Sequence, residues 1–106
     1  MDAKLKHKLE AITKVLKKAH TEDELAMLLE ELLTVTEIDK LEERIRIIAC
    51  LKDGISQREI VKRTGAAIAT VNRGAKLLHS PKLLSAQFIE GAKKANWWGR
   101  VVRRVR

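Results

Sequence analysis

A chain of 106 residues, 45% hydrophobic but with three aromatic side chains, fits one domain with a small aliphatic core and leaves little for a second. One proline, five glycines and repeated apolar runs at helical spacing argue for an all-α protein rather than a sheet-based one. The single cysteine, Cys50, excludes an intrachain disulfide, and the Met-Asp-Ala-Lys start has no apolar run to export or anchor the chain, so a cytoplasmic protein without a membrane partner is expected.

The formal charge of +8 is unevenly spread. Residues 1–19 carry +4, residues 20–43 carry −8, residues 56–82 carry +5, and residues 93–106 hold six basic groups and no acid. An acidic middle beside two basic segments suggests a molecule that turns one face toward a polyanion and another away.

The first helix is predicted over Lys4 to Ala19, with Leu5, Leu9, Ile12, Val15, Leu16 and Ala19 as its apolar stripe. Thr21 and Glu24 form a capping box that opens a second helix, with Leu25, Leu28, Leu29, Leu32 and Leu33 on one face and Glu30 and Glu31 outward. Thr36 and Asp39 mark the predicted start of a third, holding Ile38, Leu41, Ile45, Ile48 and Leu51 and stopped by Asp53-Gly54. Cys50, set among apolar residues, reads as a core residue.

The segment from Ser56 to Leu78 is a helix, a turn and a second helix. Ser56 with Glu59 is a capping box that starts a helix at Gln57, and Thr64-Gly65 ends it, glycine being free to take the positive φ that reverses the chain. From Ala67 to Leu78 the spacing places Ile68, Val71, Ala75 and Leu78 inward and leaves Ala67, Ala69, Thr70, Asn72, Arg73 and Lys76 more exposed. This is the helix-turn-helix layout, whose second helix enters the DNA major groove, and its basic residues suit phosphate neutralisation. A solvated helical hairpin that is merely basic is the alternative.

Ser80-Pro81 then marks a sixth helix, from Lys82 to about Lys94, expected to bury Leu84, Phe88 and Ile89. The first two leucine-rich stripes are wider than one small subunit covers, which a dimer would remedy. Residues 1–95 are thus expected to form the helical domain. Residues 96–106, with Trp97 and Trp98 beside arginines, read as a flexible tail suited to nonspecific DNA contact, or less well to a membrane surface.

The residues Ser56-Gln57-Arg58-Glu59 and Gly65-Ala66-Ala67-Ile68-Ala69-Thr70-Val71-Asn72-Arg73-Gly74, together with Leu33-Thr34 and Glu43-Arg44-Ile45-Arg46-Ile47, resemble the tryptophan repressor family of bacterial regulators. The likeness covers about Leu28 to Leu78, the flanking helices agreeing only in pattern. It implies a six-helix, intertwined homodimer that represses transcription when L-tryptophan fills a pocket beside the reading helix.

Residue by residue, the resemblance implies base-edge or water-bridged contacts from Arg58, Ile68, Ala69 and Asn72, and phosphate contacts from Gln57, Thr70 and Lys76. Arg58 suits a direct contact because a guanidinium pairs bidentately with guanine; a surface ion pair to a nearby acid is its bland alternative. For L-tryptophan it implies Arg44 and Arg73 on the indole faces, Thr34 near the carboxylate, Gly74 allowing close approach, and the backbone carbonyls of Glu31 and Leu33 toward the ammonium. Three positions depart from the family pattern: Val61 stands for a lysine, Asn72 for a threonine, and Leu77 for a serine that helps fix the amino group. The first two put the operator sequence in question; the third leaves open an indole lacking the amine.

Catalysis finds no support. His7, His20 and His79 are scattered, no cysteine pair or Gly-rich phosphate loop is present, and the carboxylates lie along helix faces. The remaining rivals are a ligand-independent DNA-binding regulator of the same fold, a partner- or membrane-binding protein acting through the tail, and a chain in which Trp97 or Trp98 fills the indole pocket itself.

Overall fold

Side-chain caps set several of the helix starts. Asp2 accepts from the Lys4 N–H (2.9 Å), Thr21 from the Glu24 N–H (3.1 Å), and Ser56 from the Glu59 N–H (3.1 Å). The computed structural model describes residues 1–80 and 82–93; among these the elements are α1 (Ala3–Leu16), α2 (Glu22–Leu32), α3 (Val35–Lys52), α4 (Gln57–Thr64), α5 (Ile68–Leu78) and α6 (Leu84–Phe88), with no strand. The all-α expectation holds. The expected tail at residues 96–106 lies outside the described residues.

The third start differs from the expected one. Thr34, not Thr36, caps α3: its hydroxyl accepts from the Glu37 N–H (3.1 Å), while its own N–H (2.9 Å) and O–H (3.0 Å) donate to the Glu37 carboxylate. Glu37 has the extra methylene needed to reach back across the turn, which Asp39 lacks. Those two donors hold the Glu37 carboxyl below its usual range. The cap is therefore at full strength above the ordinary carboxylate pKa and fades as the pH falls through the lowered folded value.

The chain falls into two units, Met1–Ile38 and Asp39–Arg106. In the first, α1 and α2 contain no buried residue, and Leu5, Leu9, Ile12 and Val15 are 38–50% exposed along one stripe of α1. An open depression of about 340 Å³ is lined by residues of both helices, among them Val15, Ala19, Met27, Leu28 and Glu31.

In the second unit α3 is buried all round over Arg46, Ile47, Ile48, Ala49 and Cys50. Ile47, Ala49 and Cys50 form the core with Ile60 of α4, Ala66 of the turn, Val71 of α5 and Ala92. α3 stops in a Schellman arrangement: Gly54 takes φ 81°, its N–H donates to the Leu51 carbonyl (3.0 Å), and the Ile55 N–H donates to the Cys50 carbonyl (3.2 Å). Burial pushes the Cys50 thiol up, so it stays protonated near neutral pH. Alkylation of Cys50 by iodoacetamide, followed by mass spectrometry, is expected to run at least ~100-fold slower than for a free thiol and to accelerate only as the protein unfolds in urea.

Arg46 is also fully buried, with Glu42 one turn back at 3.5 Å, and its nitrogens make no hydrogen bond among the described residues. The spacing of four was visible in the sequence; the burial was not.

The segment after α5 departs most from expectation. α6 has five residues instead of about thirteen, and Leu84 and Phe88 are exposed (61% and 74%) rather than buried; Ile89 is half-buried, and Pro81 lies outside the described residues. The chain beyond α6 is instead tied to the end of α3. Ala92 donates to the Ala49 carbonyl (3.1 Å), Lys93 N–H to the Asp53 carboxylate (2.7 Å), and the Lys52 ammonium to the Ile89 carbonyl. Ala92, fully buried, joins the core, and Phe88 does not.

Candidate nucleic-acid interface and its adjoining cavity

α4 and α5 are joined by a short turn whose geometry is set by Gly65. It takes φ 73° and donates to the Val61 carbonyl (2.9 Å), ending α4 as expected. Thr64 stiffens the corner: its hydroxyl donates to the Ile60 carbonyl (2.7 Å) and accepts from the Ala66 N–H (3.1 Å). Ile60 and Val71, 1% and 0% exposed, anchor the two helices in the shared core.

The stripe of α5 is rotated from the expected one. Ile68 is 55% exposed, and Gly74, not Ile68, shares the inner face with Val71. At about 100° per residue, Ile68 sits well to one side of the Val71–Gly74–Leu78 line. The opposite face then presents Ala69, Asn72 and Lys76, all exposed, with Ile68 at its border. Three of the four expected base-contacting residues, Ile68, Ala69 and Asn72, therefore stand together on the open side of α5. Arg58 is exposed on the first turn of α4 and makes no ion pair among the described residues, because the nearby acid, Glu59, is bound by Arg63 at 2.8 Å. Gln57 is half-buried and Thr70 faces the flank of α5, so of the expected phosphate-contacting residues only Lys76 is fully open.

That flank holds a cavity of about 40 Å³ lined by Arg44, Ile48, Thr70, Arg73, Gly74 and Leu77. It brings together three residues implied for the ligand, Arg44, Arg73 and Gly74, two of them 29 positions apart in sequence. Its volume is room for about one water, so an indole enters only if the two long, exposed arginine side chains part. Gly74 allows a close approach, and the helix it meets is α3: a Cβ there would stand 3.1 Å from Ile47 Cγ2 and 3.4 Å from Leu51 Cδ1. Gly74→Val is expected to cost about 1–3 kcal/mol by overpacking, read as a lower urea midpoint with unchanged slope.

Glu31, Leu33 and Thr34 belong to the first unit. Both donors of Thr34, its N–H and its O–H, are committed to Glu37, which leaves the hydroxyl able to accept a further hydrogen bond but not to donate one to a ligand carboxylate. The tie from the Lys93 N–H to the Asp53 carboxylate was not visible in the sequence, where Asp53-Gly54 carried only a helix-stop signal.

A basic two-helix unit with a capped first helix, an αL turn and an open second-helix face belongs to the helix-turn-helix class of DNA-binding proteins. Residues 7–90 match the family described as Trp repressor protein, and the chain belongs to that family. Trp operon repressor homologs of Xylella fastidiosa strains M23, Temecula1 / ATCC 700964 and 9a5c are each 37% identical over 67 residues, which span 62% of this chain and 73% of theirs. No solved structure matches the chain. The family is one of DNA-binding regulators, not enzymes, and this chain is a regulator of the repressor type. No helix among the described residues is long and apolar enough to cross a membrane.

Proposed function

We propose that the chain is a tryptophan-responsive repressor, acting as an intertwined homodimer that reads operator DNA with the open face of α5. The observation that carries the reading is the shared cavity of Arg44 and Arg73 on the flank of the same helix whose open face bears Ile68, Ala69 and Asn72. A planar ligand between the two guanidiniums is held by cation–π attraction on both faces. A carboxylate on that ligand pairs with Arg73. Glu31 and Leu33 serve the ammonium through their carbonyls, and Thr34 contributes an acceptor rather than a donor.

Filling the cavity then acts on DNA affinity by fixing α5 against α3, so that the operator-competent tilt of the reading helices becomes the dominant one. Two such helices on a dimer meet major grooves about one turn apart. The unburied apolar stripe of α1 supports the dimer: Leu5, Leu9, Ile12 and Val15 need cover that a second copy supplies. Arg58, Gln57, Thr70 and Lys76 complete the DNA contacts, Arg58 reading a base and the others holding phosphates.

Leu77 on the cavity wall favours a second ligand chemistry, an indole carboxylate without the amine. Titration of a target duplex in the presence of no ligand, L-tryptophan or indole-3-propionate tests both. Tighter DNA binding with tryptophan is expected; tightening with the propionate alone selects the second chemistry, and equal affinity in all three removes the corepressor role.

A further inference from the structure

Thr70, Arg73, Gly74 and Leu77 all line the cavity on the flank of α5, and their spacing along the helix puts them on one face of it. Thr70 and Arg73, three residues apart, are neighbours on that face, with Cβ atoms about 5–6 Å apart. A single carboxylate lying against the face therefore reaches both side chains.

The half-buried Thr70 holds its hydroxyl uncommitted. A threonine inside a helix readily turns its hydroxyl onto a carbonyl three or four residues back, which satisfies the donor locally. Thr13 and Thr64 do this, on the Leu9 carbonyl at 2.8 Å and the Ile60 carbonyl at 2.7 Å. The Thr70 hydroxyl makes no hydrogen bond among the described residues, and the Arg44 and Arg73 guanidiniums make no ion pair among them. No acid lines the cavity among those residues either. Two cations and one neutral donor thus meet at a single opening, a set of groups that suits an anion. Thr34 cannot supply that neutral donor, because its N–H and O–H are both given to Glu37.

From this arrangement we propose that Thr70 recognises the carboxylate of the ligand, its hydroxyl donating to one oxygen while the Arg73 guanidinium holds the other. The proposal rests on the reading of the cavity as the ligand site and deepens it by naming the second carboxylate partner. A hydroxyl has one O–H to give, so this takes Thr70 out of the phosphate-contacting set in which the resemblance put it. Gln57 and Lys76 keep that role. The ligand class is an indole with a carboxylate on a short side chain, whether or not it also carries an amine.

Isothermal titration without DNA compares the parent chain with Thr70→Val, which keeps the shape and removes the hydroxyl, and Thr70→Ser, which keeps the hydroxyl. The ligands are L-tryptophan and indole-3-propionate, which share the carboxylate and differ in the amine. Thr70→Val is expected to weaken both by about 10-fold, as for a hydrogen bond to a charged group, and Thr70→Ser to stay within about 3-fold of the parent. The urea midpoint of Thr70→Val is expected to stay near that of the parent. Unchanged affinity of Thr70→Val for both ligands would overturn the proposal, and weaker operator binding by that variant would return the hydroxyl to a phosphate. A loss confined to L-tryptophan would overturn it by placing the hydroxyl on the ammonium. Equal losses in the valine and serine variants would overturn it in favour of packing. If the parent chain binds neither ligand, the reading of the cavity fails first and this proposal with it.

Discussion

Ile60→Ala is expected to lower the stability of the chain by about 2–5 kcal/mol, read as a drop in the urea midpoint. Ile60 is the buried residue of α4 and shares the core with Ile47, Ala49 and Cys50 of α3 and Val71 of α5. Truncating it removes three carbons at the point where the two-helix unit meets its support. α4 has eight residues, too few to persist as an isolated helix, so its order depends on that contact. Against a total of about 5–15 kcal/mol, such a loss is a large share of what holds the domain together. DNA affinity is expected to fall in parallel, and both losses should be much smaller for Ile68→Ala, whose side chain is 55% exposed. A small stability change for Ile60→Ala would mean that α4 is held elsewhere.

The second large effect concerns the ligand. Arg73→Ala is expected to raise the Kd for L-tryptophan by at least ~30-fold, equivalent to about 2 kcal/mol for one ring face plus a charge-assisted hydrogen bond. Arg44→Ala, which removes a ring face but not the carboxylate partner, is expected to weaken binding less, by roughly 2- to 30-fold. Both side chains are exposed, so helical circular dichroism and the urea midpoint should stay near those of the parent protein. Isothermal titration reads the affinities directly. Binding unaffected by either change would assign the cavity a packing role and leave a ligand-independent regulator.

The parts of the fold legible in the sequence are those whose signal closes within one turn. The Thr21–Glu24 and Ser56–Glu59 caps and the Gly65 stop are satisfied by neighbours three or four residues away, and each stands where the pattern placed it. Thr34 and Thr36 show the limit of that logic. Both offer an N-cap oxygen, and the decision fell to side-chain length, with Glu37 reaching back. Ser80-Pro81 and an apolar run suggested a full sixth helix, yet what fixes that region is a long-range tie from Ala92 and Lys93 to α3 that no local pattern encodes. Ile68 was misplaced for a related reason: Gly74, with no side chain to signal burial, is what packs on α3.

For the site, charge and periodicity were enough to mark the helix-turn-helix and its exposed face. The pairing of Arg44 with Arg73 was visible only through resemblance to a family, since residues 29 positions apart on different helices share no local pattern. The buried Arg46 carried no warning beyond its spacing from Glu42, because burial of a guanidinium depends on what the surrounding helices close over.

The central claim, that α4 and α5 read duplex DNA, is tested most directly by selecting bound duplexes from a random library with and without L-tryptophan, using the parent chain and Arg58→Ala. The account predicts enrichment, in the presence of tryptophan, of paired half-sites centred about one helical turn apart. It also predicts that Arg58→Ala loses preference at one guanine in each half-site, by about 1–3 kcal/mol. Recovery of sequences no different from the starting pool, with and without tryptophan, would contradict it.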